Sequence, residues 1–101
     1  MHYLYILYSP LFDRYYIGES VNIQERLSQH NSHHYTHAST SFTSDWIIAI
    51  HYSLQNRKEA LIIEKYLKSL KSKKFLRALH QDIEAQTKFK ESIEKKFNII
   101  L

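Results

Sequence analysis

Cysteine is absent from this chain, and glycine and proline occur once each. Without cysteine there is no disulfide framework and no thiolate zinc site. So little glycine and proline argues against long flexible linkers, and 101 residues read as one folded unit with a modest core. No apolar stretch approaches the roughly 18 residues that a membrane-spanning helix needs. The opening residues lack the basic segment, long apolar run and small-residue cleavage site of a secretory leader. These absences predict a soluble, cytoplasmic protein with no membrane partner.

Acidic residues are missing from one stretch in particular. Through Asn56 the chain has two basic residues, Arg14 and Arg26, against four acidic ones; from Arg57 onward it has twelve against six. Lys65, Lys68, Lys71, Lys73, Lys74 and Arg77 follow one another with no acid between them. Such a block is the electrostatic footprint of a polyanion-binding surface, nucleic acid above all, or else a solvated helix face.

What is present alternates in a readable way. Residues 2–8, "HYLYILY", and 14–18, "RYYIG", are short strand patterns separated by the turn-like "SPLFD", which predicts a β-hairpin. "SVNIQERLSQHN" predicts a helix over roughly 21–31, capped by Ser20 or Asn22. A hydroxyl-rich loop follows. "WIIAIHYSL" is apolar on both faces and predicts a strand in the middle of a sheet. A long helical pattern starts near Asn56 and breaks at residues 71–74, and one or two further helices complete the chain. The order β-β-α-β-α-α predicts an α+β fold with a small three-stranded, mainly antiparallel sheet flanked by helices.

Several polar residues stand out against this frame. By the period of two, Tyr5 and Tyr16 lie on the same side of neighbouring strands. Gly18 is either a turn glycine between packed aromatics or a place where backbone or a phosphate approaches closely. Arg26 and His30 are one helical turn apart, beside the apolar Ile23/Leu27 stripe. They are either a phosphate clamp or a surface arginine, paired with Asp13 or Glu25, next to a half-buried histidine. Glu64 sits at the margin of an apolar helix face. Its partner is either Lys68, four residues on, or a hard cation such as Mg²⁺. His30, His33, His34 and His37 have spacings that suit zinc on a helix, although the composition after Asn31 reads as a loop.

Taken together, these residues resemble the GIY-YIG nuclease domain. Tyr3-Leu4-Tyr5 stands for the first motif and Tyr16-Ile17-Gly18 for the second; Arg26, Leu27 and His30 match the helix that follows, and Glu64 takes the place of the metal-binding glutamate. The resemblance covers roughly residues 2–76. It is greatest to small stand-alone proteins related to the N-terminal nuclease domain of excinuclease C, the incision component of excision repair. It implies a nuclease-like domain over residues 1–80, with residues 81–101 as a C-terminal helical extension packed on it. It implies a divalent-metal-dependent DNA endonuclease, in repair or recombination, or a nucleic-acid-binding module on the same scaffold with weak or no catalysis. Tyr5, Tyr16, Arg26 and His30 would be catalytic and Gly18 structural at the site. Glu64 would hold one Mg²⁺ or Mn²⁺, and all five polar residues would converge on one concave face. Tyr5 would take the proton of the attacking water, directly or through Tyr16 and His30, with Arg26 and the metal favouring its phenolate. Lys68, Lys71, Lys73, Lys74 and Arg77 would hold the DNA backbone. Two departures stand out: Tyr3 replaces the first motif's glycine, and Glu19 replaces the hydroxyl residue usual after the second, which puts a negative charge near the presumed phosphate path. The apolar residues of the tail, Ile83, Phe89, Ile93 and Phe97, would cover the sheet or meet a partner, a homodimer among the candidates.

Overall fold

The computed structural model describes residues 1–33 and 40–101. The hairpin is formed by β1 (His2–Ser9) and β2 (Arg14–Ser20), and α1 (Ile23–Asn31) follows. β3 (Ile47–Leu54) then precedes α2 (Arg57–Leu70), α3 (Lys73–Gln81) and α4 (Ile83–Phe97). The strands form one antiparallel sheet in the order β2-β1-β3. The α+β class and the small antiparallel sheet are as expected.

The position of β3 is not. It lies at an edge, and β1 occupies the middle, with Leu4, Tyr5, Ile6 and Leu7 all essentially inaccessible. The physical reason is that both faces of the sheet are covered. Leu4, Ile6 and Ile17 point into the larger core layer, built with Ala60, Ile63 and Leu67 of α2, Leu79 of α3, and Phe89 and Ile93 of α4. Tyr5 and Leu7 point into a smaller layer with Ile23 and Trp46. An edge strand between two covered layers is apolar on both sides, just as a central one is. In β3, Tyr52 and Leu54 serve the larger layer and Ile48 packs against the smaller one, after a register shift between Ile6 and Leu7.

The helices begin where side chains can satisfy their first amides. Asn22 accepts from the Glu25 amide, Asn56 from Glu59, Ser72 from Phe75 and Asp82 from Glu84. Asp82 thus divides the C-terminal segment into two helices. Lys71 ends α2 in the left-handed region, φ 47°, a position that glycine usually fills.

Candidate active site

The hairpin register decides the site. Tyr5 is paired with Gly18, and Leu7 with Tyr16. The ring of Tyr5 crosses Gly18 so closely that a Cβ there would lie 2.5 Å from its Oη and 2.6 Å from Cζ. The glycine is therefore neither at a turn nor at a strand end, since β2 continues to Ser20. It makes room for a tyrosine.

The Tyr5 hydroxyl is hydrogen-bonded by Arg26 and lies 3.5 Å from His30 Nε2. His30 is itself buried, with Nδ1 2.7 Å from Thr40 Oγ1 and its ring 5.0 Å from that of Tyr16. Trp46 Nε1 donates to the Thr40 carbonyl at 3.0 Å, and the Asn31 amide clamps both backbone groups of Trp46. Sequence reasoning misses Thr40 and Asn31, and it takes Trp46 for part of the strand. Nothing in the hydroxyl-rich stretch singles out Thr40 in advance.

Burial governs the electrostatics here. Desolvation raises the Tyr5 pKa above the ordinary phenol value, against the opposing hydrogen bond and charge of Arg26. Burial, aided by Arg26, lowers that of His30, which is therefore neutral at physiological pH. Arg26 does favour a Tyr5 phenolate, as expected, but the fully buried ring loses more by desolvation than Arg26 returns.

Tyr5, Tyr16, Gly18, Arg26 and His30 thus meet on the α1 side of the sheet. Glu64 is not among them. It lies on α2, which packs against the other face, and accepts from Lys68 Nζ at 3.1 Å. The flank of α2 that carries Glu64 meets β2 at both of its ends. Arg57, on the same flank of α2 as Glu64, lies 3.7 Å from Glu19 of β2. At the other end of that flank, Lys68 and Lys71 share a cavity of about 450 Å³ with Arg14, Tyr16, Ile17 and Lys73. Glu64 lies between these two ends along the helix, with its side chain 19% exposed. One partly exposed carboxylate suits a cation that takes its other ligands from water and a phosphate, as Mg²⁺ and Mn²⁺ do. Among the described residues no cluster of three or more His, Asp or Glu side chains is arranged to hold an ion.

The remaining expectations divide. Glu19 is held by His2 and Arg57, so its charge is already matched. His33 is engaged by the Thr43 carbonyl and the Ser44 hydroxyl; His34 and His37 lie outside the described residues. Lys68, Lys71 and Lys73 line the cavity, whereas Lys74 and Arg77 do not. Arg77 binds both oxygens of Asp13, at 2.6 and 2.8 Å, and Lys73 reaches the same carboxylate at 2.8 Å. The acid missing between Lys65 and Arg77 is supplied in space by the hairpin tip.

No curated protein and no solved structure shows significant similarity to this chain. The family model of the GIY-YIG catalytic domain matches residues 1–77, which include both tyrosine motifs, Arg26, His30 and Glu64. With that match over most of its length, the chain belongs to the GIY-YIG family, whose members are endonucleases acting on DNA.

Proposed function

We propose that this protein is a divalent-metal-dependent DNA endonuclease that hydrolyses phosphodiester bonds at the β2 edge. The observation that carries the reading is the pairing of the buried Tyr5 and His30, with the half-buried Arg26, and a cavity that Tyr16 shares with Arg14, Lys68, Lys71 and Lys73. Tyr16 is only half-buried, so it is the tyrosine that water reaches, and it is the better candidate to take the proton of the attacking water. Tyr5 is a positioning residue: it holds Arg26 and His30 behind Tyr16. Arg26 supplies fixed positive charge near the non-bridging oxygens of the phosphate. Glu64 is the residue that would hold a Mg²⁺ or Mn²⁺ ion, which supplies Lewis-acid stabilisation of the leaving oxygen. Arg14, Lys68, Lys71 and Lys73 would hold the backbone through sequence-independent, salt-sensitive contacts.

The alternative, a binding module without catalysis, draws its support from Glu19, and that support weakens because Glu19 is occupied by His2 and Arg57. A role in repair or recombination predicts a preference for damaged or branched DNA. The test is incubation with branched, nicked and plain duplexes in Mg²⁺, in Mn²⁺ and in EDTA. Metal-dependent strand cleavage is expected. DNA binding without cleavage in either metal would favour the binding module.

A further inference from the structure

The tip of the β1–β2 hairpin exposes two large apolar side chains, Leu11 at 73% and Phe12 at 50%. A turn carrying such residues would ordinarily be loose, but this one is tied at both ends. Ser9 Oγ donates to Asp45 at 2.7 Å, the Leu11 amide donates to the same carboxylate at 2.8 Å, and the Phe12 amide donates to Ser9 Oγ at 3.3 Å. On the other side Asp13, in the left-handed region at φ 52°, accepts from Tyr8 at 2.7 Å and from Lys73 and Arg77 of α3. The rings continue inward: Phe12 meets Phe42 edge-on at 5.2 Å, and Phe42 meets the buried Trp46 at 5.6 Å. Arg14 stands over Phe42 at 5.6 Å and lines the same cavity as Lys73, Lys71 and Tyr16.

Resting on the nuclease reading, we propose that this tip is a wedge that stacks on the terminal base pair at a junction between double- and single-stranded DNA. Charge complementarity selects this occupant. The exposed face of a base pair is flat, apolar and flanked by phosphates; the tip offers an apolar pair, then Asp13, whose charge Lys73 and Arg77 match, then Arg14 and the cavity that Lys71 lines. Within a continuous duplex the same insertion must unstack a base step at a cost of a few kcal/mol, so forks and flaps are favoured. The strand rise of about 3.3 Å per residue places the tip roughly 10–15 Å from Tyr16. At about 3.4 Å per nucleotide, the cut falls roughly three to four nucleotides from the junction.

The test compares forked and plain duplex DNA of equal length by fluorescence anisotropy in EDTA, for the wild type, the double variant Leu11→Ser/Phe12→Ser and Phe12→Trp. Base stacking on an aromatic side chain predicts a preference of about tenfold for the fork in the wild type. That preference should vanish in the double variant, whose duplex affinity is unchanged, and persist in Phe12→Trp. A wild type that binds fork and duplex equally, or a double variant that keeps the preference, would overturn the wedge and leave the nuclease reading standing; the second result would point to a protein partner for the tip. A wild type that binds neither DNA would overturn both.

Discussion

The hydroxyl of Tyr5 occupies the space that a side chain on Gly18 would need. The single glycine of the chain thus makes room for the most buried tyrosine among the described residues. Gly18→Ala must displace either that ring or the β2 backbone. Overpacking of this kind costs about 1–3 kcal/mol. Thermal denaturation should show a drop of roughly 5–15 °C, with cleavage lost even where the protein stays folded. A variant that melts with the wild type would mean that the ring moves aside freely.

Glu64→Gln separates an ion ligand from a helix-surface partner. The Lys68 pair is exposed on the lysine side, and its loss should cost at most about 0.5 kcal/mol. Cleavage in Mg²⁺ should fall by several orders of magnitude, while DNA binding persists. Undiminished cleavage would remove Glu64 from the site.

His30 makes stability depend on pH. Its folded pKa lies below the ordinary 6.5, so the unfolded chain binds the proton more readily. The stabilisation is fully present above pH 6.5 and is lost as the pH falls below it. Melting temperatures measured between pH 7.5 and 5 should decline for the wild type and stay flatter for His30→Gln. Parallel curves would show that another group is responsible.

Asp13 titrates in the same direction at lower pH. Hydrogen bonds from Lys73, Arg77 and Tyr8 hold its carboxyl far below the usual carboxylate range of about 3.8. The stability difference between wild type and Asp13→Asn should therefore be constant at neutral pH and narrow only below about pH 4. The same substitution releases Lys73 and Arg77, and DNA affinity should rise. Unchanged affinity would place the DNA path away from α3.

Tyr52 gives a control of opposite sign. Its hydroxyl is buried with no hydrogen-bond partner among the described residues, and burial pushes its pKa up to about 12. Tyr52→Phe removes an unsatisfied polar group at nearly constant shape, so it should be neutral or stabilising, by up to about 1–2 kcal/mol. A clear loss of stability in urea denaturation would reveal a partner for that hydroxyl.

How much of this is legible depends on the range of each interaction. The hairpin, α1 and the Glu64–Lys68 pair rest on neighbours in the chain, and alternation or helical spacing finds them. The role of Gly18 requires the pairing register, which the tip length sets and which composition does not encode. Asp13 meets Lys73 and Arg77 across more than fifty residues, so the basic stretch reads as freer than it is. The edge position of β3 is hidden because two covered layers give an edge strand the pattern of a central one. Thr40 and Asn31 act only through His30 and Trp46, contacts that no local pattern announces.

The outer flank of β2 has a further consequence. An edge strand presents unpaired amides and carbonyls that invite another strand to add to the sheet. Here Arg14, Lys68, Lys71 and Lys73 crowd that flank; Glu64 and Asp13 match Lys68 and Lys73, and a second copy brought against it would still meet the charges of Arg14 and Lys71. The cations proposed to hold DNA thus also act as gatekeepers against self-association. Their removal should lower solubility together with DNA affinity, and so should any condition that neutralises them without supplying a nucleic acid strand.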